Sequence, residues 1–505
     1  MTTRRDFIAL ALWTPLAGCA VARPRFTTDP FTLGVASGYP HTDGVVLWTR
    51  LAPKPREGGG MDPEPFEVRW EVAEDEGFRR IVRQGAAIAA PEHAHSVHVE
   101  VDGLAPARGY HYRFHCGGAT SQAGRTRTAP GAGRGDERLK LALASCQQYE
   151  QGWFTAHRHM AADEPDLVAF VGDYIYESSW GRDHVRKHGV AEPGTLADYR
   201  DRHALYKTDP DLQKSHAAAP WVVIWDDHEV DNDYAGDRSE ELHPSFLARR
   251  AAAYKAYMEH MPLRRSVLLA GGGMRIYGGL QWGGLARLHL LDGRQYKSHQ
   301  SCTKPYRGGG NSLVDCPERF EPSRSLLGMD QERWLDTSLE ESRSAWNLVV
   351  QTTTFSPAPR PSDKGPVVWT DGWDGYPAAR ERLLKSIVDH RPSNPVILGG
   401  DVHCALHANV HERPGVPDSR VVATELVSTS ITSQGPGARL SEALRGANPH
   451  IRHADGTVRG YHLLEIGRDA LQARVRGVAT VKQPDAAVAT VATARVVAGR
   501  AGLAE

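Results

Sequence analysis

The fold of this chain can be inferred from one run of residues, Trp221-Val222-Val223-Ile224-Trp225-Asp226-Asp227-His228-Glu229-Val230-Asp231-Asn232-Asp233. The first part of the run is too short for a helix and rich in β-branched and aromatic side chains, so it predicts a fully buried strand. The second part begins abruptly with acidic residues. Because an unpaired charge is expensive to desolvate, these carboxylates need partners, and a cation is the natural one.

The same pattern, an apolar strand followed directly by residues that can bind a metal, occurs three more times. The further strands and the candidate ligands after them are 139–144 with Cys146, 167–171 with Asp173 and Tyr176, and 396–398 with Asp401 and His403. If the strands lie in one open α/β core, their carboxyl ends meet at one edge, where ligand sites gather. The four strand ends are therefore predicted to form a single site.

The composition is that of an ordinary globular protein. The chain has 505 residues, which suits two or three domains, and 40% of them are hydrophobic and 24% charged. The formal net charge is −1, so the sequence lacks the positive field that a nucleic-acid-binding surface requires. No nucleic acid partner is predicted.

Residues 1–25 have the features of an export leader. Arg4-Arg5 and the apolar run after them resemble a twin-arginine signal, which makes the twin-arginine export machinery a predicted partner. The segment Leu16-Ala17-Gly18-Cys19 resembles a lipoprotein processing site. Two alternatives remain open: Cys19 carries a lipid anchor, or it is incidental in an ordinary cleaved signal. In both cases the protein is predicted to be exported, to the periplasm or the cell surface.

The rest of the chain divides into two domains and a tail. Residues 28–130 alternate apolar and polar side chains, and the segment 104–110 resembles the tyrosine corner of an immunoglobulin or fibronectin III-like β-sandwich. Residues 129–137 have the composition of a linker, and beyond them short apolar strands alternate with amphipathic helical patterns over residues 138–480, which predicts a layered α/β domain. Residues 481–505 are a tail without a predicted element. Helices are predicted at 153–162, 196–206, 246–258, 331–339 and 378–388, and further strands at 286–291, 348–352, 462–466 and 471–475.

The cysteines indicate one disulfide. Cys302 and Cys316 bracket a Gly-rich turn segment, and in an exported protein they are predicted to bond to each other. Closing a loop of this size contributes about 3 kcal/mol to stability. Cys116 and Cys404 are predicted to be buried and unpaired. The expected oligomeric state is a monomer.

The candidate ligands suggest two different cations. A carboxylate can bridge two ions, which suits Asp173 and Asp227 to a centre that clamps the attacking and leaving oxygens of a phosphoryl group. A thiolate together with a phenolate is unusual for Mg²⁺ or Ca²⁺, whereas tyrosinate is a known iron ligand. The pattern therefore indicates Fe³⁺ at one position and an oxygen-ligated ion such as Ca²⁺ at the other.

Several of these residues also have a purely structural interpretation. Cys146 can pack in the core, Asp173 can cap the next turn, and His228 can be a satisfied structural histidine. Tyr174 and Tyr176 alternate along the chain, so only one of them can face the site. Single signals are weak, and their recurrence at four strand ends is what favours a metal centre.

Two further features have open alternatives. Arg294 either braces a phosphate oxygen of the substrate with its planar fork or forms a structural ion pair with Asp292. The cluster of Trp369, Trp373 and Tyr376 either walls the pocket or packs a loop. The composition of the loops around the site does not distinguish nucleotides, lipid headgroups, wall polymers or sugar phosphates as substrates.

Four motifs together resemble the alkaline phosphatase D (PhoD-like) family: Ser145-Cys146-Gln147-Gln148-Tyr149-Glu150, Gly172-Asp173-Tyr174-Ile175-Tyr176-Glu177, Trp225-Asp226-Asp227-His228-Glu229 and Gly400-Asp401-Val402-His403. Residues 31–38 and 45–50 are similar to the amino-terminal domain of that family. The resemblance covers nearly the whole chain. It implies a metallophosphoesterase-like αββα core, an iron and calcium centre, and hydrolysis of phosphomonoesters and phosphodiesters.

The resemblance also implies a role for each candidate residue. The implied metal ligands are Cys146, Asp173, Tyr176, Asp227, Asp401 and His403, with Cys146 and Tyr176 on Fe³⁺, Asp173 as the bridge and Asn232 as a further candidate. His228 stands where related enzymes carry a histidine that protects or protonates the leaving group. The implied reaction is in-line attack by a metal-activated hydroxide, with proton donation from His228.

The sequence therefore predicts an exported alkaline phosphatase or phosphodiesterase. One alternative is a surface-anchored binding lipoprotein whose phosphatase-like domain is inactive. Another is a cytoplasmic phosphoesterase whose leader is misinterpreted.

Overall fold

The computed structural model describes residues 26–131, 133, 138–270, 273–416 and 418–504. The predicted export leader, Cys19 and part of the predicted linker lie outside the described residues. Within them, no helix is both long enough and apolar enough to cross a membrane.

The described residues form a mixed α/β fold. The strands are β1 (Val35–Gly38), β2 (Val45–Arg50), β3 (Phe66–Ala73), β4 (Ile81–Ala89), β5 (Ser96–Val101), β6 (Gly109–Cys116), β7 (Ala119–Thr120), β8 (Gly124–Arg127), β9 (Leu139–Ala144), β10 (Leu167–Val171), β11 (Pro220–Ile224), β12 (Gly278–Trp282), β13 (Ala286–Leu290), β14 (Ser312–Leu313), β15 (Trp346–Val350), β16 (Val368–Trp369), β17 (Pro395–Gly399), β18 (Ala405–His411), β19 (Val421–Val427), β20 (Ile451–Asp455), β21 (Arg459–Ile466), β22 (Ala470–Val478) and β23 (Val488–Val497). The helices are α1 (Thr155–Ala162), α2 (Leu196–Lys207), α3 (Pro210–Ala218), α4 (Phe246–His260), α5 (Met329–Glu341), α6 (Pro377–His390) and α7 (Gly437–Ala447). The five predicted helices are present, whereas α3, α7 and β23 had no counterpart in the sequence analysis.

The central sheet contains the first three strands that were predicted to lead into the site. Its strand order is β23-β22-β21-β9-β10-β11-β1-β2-β5, and β9, β10, β11 and β1 run parallel. Every residue of β10 and β11 is buried, as expected for parallel strands covered on both faces. On one face, Phe170 and Trp221 stack on His157 of α1, and Trp221 also stacks on His216 of α3.

The fourth strand, β17, belongs to a second sheet, so the four strands do not share one open sheet, and two sheets are what the implied αββα core requires. The second sheet has the order β12-β13-β15-β17-β19-β18-β20, and α5 and α6 cover one of its faces through a shared apolar core. The two sheets pack on each other through a common core. A Cβ atom added to Gly400 would lie 2.5 Å from Ser145 Oγ, so the carboxyl ends of β9 and β17 approach each other closely across the two sheets.

The amino-terminal region forms a second layered unit. Strands β4-β3-β6-β7, with β8 paired to β6, make a five-stranded antiparallel sheet. Its apolar face packs on β1, β2 and β5, which belong to the central sheet. One layer of the predicted sandwich is therefore part of the central sheet. The Tyr110 hydroxyl accepts a hydrogen bond of 2.8 Å from the Ala105 N–H, the local contact on which the tyrosine-corner prediction depends.

The predicted disulfide is present. Cys302 and Cys316 are bonded, and Cys116, Cys146 and Cys404 are buried and free. The disulfide closes a loop that contains β14, and β14 pairs with β16.

Candidate metal centre

The residues that follow the strand ends have an unusual backbone. Cys146, Asp173, Asp401 and His403 have φ angles of 59°, 56°, 63° and 51°, in the left-handed region that non-glycine residues rarely adopt. Each such residue costs on the order of 1–3 kcal/mol, and such strain clusters at functional sites. The chain thus turns sharply at three strand ends, which brings these side chains together.

Asp173 lies between two groups of donor atoms. On one side, the ligand atoms of Cys146, Asp173 and His403 are all within 4.8 Å of one another. On the other side, those of Asp173, Asp227 and His228 are equally close. The structure therefore brings these predicted residues together, and the shared carboxylate has the position of a ligand that bridges two cations.

Tyr176, and not Tyr174, faces this site. The Tyr176 hydroxyl donates to Asp173 Oδ2 at 2.8 Å, lies 3.2 Å from His403 Nε2 and accepts a hydrogen bond from Ser433 Oγ at 2.8 Å. The Tyr174 hydroxyl instead pairs with His216 in the core. Burial and the negative charge of Asp173 raise the pKa of Tyr176 well above its ordinary value.

Asp401 follows β17 of the second sheet and is close enough to Asp227 for their charges to interact, but among the described residues it belongs to neither group of donor atoms. Its Oδ2 accepts a hydrogen bond of 2.6 Å from Thr353 Oγ1. Burial, together with the charges of Asp226 and Asp227, raises the pKa of Asp401 to about 7. A cation placed among these three acids would lower the free energy of their ionised carboxylates. On the far side of the site, Trp180 stacks on His403 with ring centroids 5.6 Å apart.

His228 is oriented by a partner to which the sequence analysis gave no role. Its Nδ1 donates to Glu177 Oε2 at 2.7 Å, and its ring packs against Tyr176 with centroids 4.1 Å apart. Burial opposes the charge of His228, but Glu177, Asp227 and Asp173 together raise its pKa well above the ordinary value. His228 is therefore held in a fixed orientation beside the two groups of donor atoms.

Arg294 is engaged by acidic side chains. It contacts Asp226 at 2.5 Å, Asp371 at 2.8 Å and Asp227 at 3.5 Å, and its side chain is 3% exposed. This geometry favours the ion-pair interpretation, although the partners differ from the predicted Asp292, which accepts a hydrogen bond from the backbone N–H of Arg294. Although burial opposes ionisation, Arg294 and His228 hold the pKa of Asp227 below its usual range.

Asn232 lies next to this site, but its observed hydrogen bonds are made to two glutamates outside the donor set. Its side-chain amide donates to Glu240 Oε2 at 3.0 Å, and its backbone N–H donates to Glu177 Oε1 at 3.1 Å. The structure thus shows Asn232 supporting Glu177 and Glu240. Metal ligation by Asn232 stays a prediction.

A further acidic group lies beyond Asp227. Ligand atoms of Asp227, Asp233 and Asp371 are within 4.8 Å of one another, and Lys297 contacts Asp371 at 2.5 Å. The disulfide-bonded loop reaches this group, because the Gly310 N–H donates to Asp233 Oδ2 at 2.9 Å. The acidic region is therefore partly neutralised by basic residues and covered by the loop.

The donor atoms fit the predicted cations. Asp173 Oδ1 is buried and makes no hydrogen bond to any other described residue, and Asp227 Oδ1, also without a hydrogen bond there, has a 3.5 Å ion pair with Arg294. An unsatisfied buried carboxylate oxygen is costly, and a cation removes that cost. A buried thiol and phenol lie on one side of Asp173 and carboxylates on the other, which matches a softer ion beside a harder one.

Two family models match this chain. Residues 141–475 match the family model described as PhoD-like phosphatase, and residues 18–130 match its N-terminal domain. The chain belongs to the PhoD-like phosphatase family. Alkaline phosphatase D of Bacillus subtilis (strain 168) is 45% identical over 481 residues, which span 93% of this chain and 81% of that protein.

A solved structure agrees with this membership. The protein described as "Structure of PhoD" superposes with a TM-score of 0.90 at 44% identity, over 95% of this chain and 93% of the other. The prediction of a PhoD-like enzyme of the phosphatase class is thus confirmed, and so is the mixed α/β fold with several sheets.

Proposed function

We propose that this PhoD-like protein is an exported, metal-dependent hydrolase of phosphomonoesters and phosphodiesters. The observation that carries the proposal is the position of Asp173, whose carboxylate is shared by the thiol and imidazole donors on one side and by Asp227 and His228 on the other. Family membership supports the reaction class.

The metal ligands follow from the donor types. Cys146, Tyr176 and His403 would hold Fe³⁺, Asp227 and Asp401 would hold Ca²⁺, and Asp173 would bridge the two. Once bound, the ions would supply positive charge to the phosphoryl oxygens and ease deprotonation of the attacking water.

The protein side chains supply the remaining chemistry. His228 would give its proton to the departing ester oxygen, with the Glu177 carboxylate at Nδ1 stabilising the protonated imidazole. Glu177 is a positioning residue that fixes the imidazole through Nδ1 and leaves Nε2 to face the substrate. Arg294 holds Asp226 and Asp227 in place and does not contact the phosphate in this proposal.

Export is part of the proposal. The twin-arginine-like leader supports it, and so does the Cys302–Cys316 disulfide, because disulfides persist mainly outside the cytoplasm. We place the protein in the periplasm or on the cell surface, with Cys19 as the candidate lipid anchor, and as a monomer. The amino-terminal sandwich is proposed to be immunoglobulin or fibronectin III-like.

The test combines metal content with turnover. Protein exported with its metals is expected to contain iron and calcium and to hydrolyse p-nitrophenyl phosphate, whereas Cys146→Ala and Asp173→Ala lose metal and activity together. Cys116→Ala, which removes a buried thiol of the amino-terminal sheet, outside the donor set, is the matched control and should retain both. Full turnover by metal-free Cys146→Ala protein would refute the metal centre. A wild-type protein without metal or phosphatase activity would favour the inactive binding lipoprotein.

A further inference from the structure

We propose that an apolar groove beside the metal centre binds the ester group that stays on phosphorus, so that the favoured substrates are phosphodiesters with an aromatic or similarly apolar retained alcohol. This inference deepens the proposed function and depends on it. A phosphomonoester has no group to place in the groove, whereas a diester does.

The groove is formed by two elements that the sequence analysis did not connect. Trp369 of β16 and the nearby Trp373 line one side, and Leu440 and Leu444 of α7 line the other. Leu440 and Leu444 are four residues apart and therefore lie on the same face of the helix. The cavity measures about 330 Å³, within the range of small-ligand sites.

The groove adjoins the metal centre through Thr353. Thr353 lines the groove and donates its hydroxyl hydrogen to Asp401 Oδ2 at 2.6 Å. Val402, which also lines the groove, lies between Asp401 and His403 in the chain. A phosphate ester bound by the ions of the metal centre would therefore have the groove within reach of one of its ester groups, past Thr353 and Val402.

The wall of the groove contains an unused polar group. Thr354 lines the groove and is 8% exposed, and its Oγ1 makes no hydrogen bond to any other residue in the described ranges. A buried hydroxyl without a partner is unfavourable. Ser356 Oγ, in the same lining, is also buried without a hydrogen-bond partner in the described part of the chain, and rotation of either side chain towards the groove would give a bound ester oxygen a directional contact.

The position of His228 decides which ester group enters the groove. His228 donates to the leaving oxygen and lies with Asp173, Asp227 and Glu177. None of these residues lines the groove, which begins at Thr353 and Val402. The leaving group is thus placed beside His228, and the retained group is the one that reaches the tryptophans.

The chemistry of the lining selects an apolar retained group. Trp369 is 41% exposed, so a large aromatic face is available to a ligand. Burying an apolar ring against indole and leucine side chains is favourable. The lining also contains the charged Arg360 and Asp374, but Arg360 donates to Ser312 and Asp374 pairs with Arg380, so both have partners within the protein. The expected substrates therefore have an aromatic or branched alkyl alcohol on the retained side.

The test uses two diesters with the same leaving group, benzyl p-nitrophenyl phosphate and methyl p-nitrophenyl phosphate, and the metal-loaded protein. We expect kcat/KM to be at least about tenfold higher for the benzyl diester, mainly through a lower KM. Trp369→Ala and Leu440→Asp should each reduce this ratio towards one. The matched control, Leu247→Asp, changes an exposed leucine on α4 and should keep the wild-type ratio.

The outcomes separate the two proposals. A wild-type ratio near one, or a ratio that both groove variants keep, overturns the groove while leaving hydrolysis intact. If the metal-loaded protein hydrolyses no ester, the proposed function fails, and calorimetry with benzyl methyl phosphate against dimethyl phosphate then tests the groove. Tighter binding of the benzyl compound that is lost in Leu440→Asp supports the groove, and equal binding overturns it.

Discussion

The hydroxyl of Tyr176 donates a 2.8 Å hydrogen bond to Asp173 Oδ2. This contact joins the phenol to the carboxylate that both groups of donor atoms share. Loss of the phenol proton would free the oxygen to act as a metal ligand beside Asp173. The hydrogen bond thus shows how the metal-free donor set is held together.

Tyr176→Phe removes the phenol oxygen and should lower both the iron content and the activity. We expect a loss of iron of more than half and a fall in kcat of at least about 100-fold, in the range found when one preorganised polar group is removed from an active site. Metal analysis and p-nitrophenyl phosphate turnover measure the two effects. Tyr174→Phe, whose hydroxyl pairs with His216, should retain its iron. Iron-replete, active Tyr176→Phe protein would exclude the phenol as a ligand.

His228→Ala should affect poor leaving groups far more than good ones. General acid catalysis contributes about 10²–10⁴-fold, and p-nitrophenolate departs without a proton, whereas an alkoxide needs one. We expect the larger loss with an alkyl phosphate and a much smaller one with p-nitrophenyl phosphate. Glu177→Gln should show the same selectivity, more weakly, because it only orients the ring. Equal losses on both substrates would mean that His228 is not the proton donor.

Arg294→Gln distinguishes an ion pair from a substrate contact. The substitution leaves the buried Asp226 and Asp371 carboxylates without their guanidinium partner, which typically costs about 3–5 kcal/mol. Urea denaturation of the wild-type, Arg294→Gln and Arg294→Lys proteins measures this cost, and the lysine variant should recover part of it. An unchanged stability with a raised KM would instead support a direct contact with phosphate.

Lys207 gives the protein a pH-dependent stability that is independent of the site. Burial lowers the pKa of Lys207 to about 7, from 10.5, and its ammonium lies 4.3 Å from the ring of Trp48. Between these pH values the unfolded chain binds more protons than the folded one, so the free energy of unfolding rises with pH. Lys207→Met should therefore stabilise the protein by a few kcal/mol at pH 7, with the gain shrinking towards pH 10. Lys255→Met, at an exposed position of α4, is the control, and a constant gain at both pH values would contradict the effect.

Much of the centre could be predicted because its signal is local. An apolar strand that ends in acidic or thiol side chains is visible in a short window, and the structure brings Cys146, Asp173, Asp227 and His403 together as expected. Ser433 had a similar signal, since it lies shortly after β19. It was missed because hydroxyl residues after a strand are also common in ordinary loops.

The parts that could not be predicted depend on pairings between distant residues. The contacts of Arg294 with Asp226 and Asp371 require the second sheet to lie on the first, and no periodicity encodes that docking. The choice between Tyr174 and Tyr176 depended on which neighbour each hydroxyl meets. The extension of the central sheet by amino-terminal strands also had no signature in either segment alone.

That extension has a consequence for how the protein can be divided. Strand β1 pairs with the beginning of β11, through Ser37 with Pro220 and Gly38 with Trp221, in the strand that leads to Asp226 and Asp227. A truncated chain that began at residue 138 would leave β11 as an unpaired edge strand, with open backbone groups that invite aggregation. The two halves should therefore be expressed and engineered as one unit.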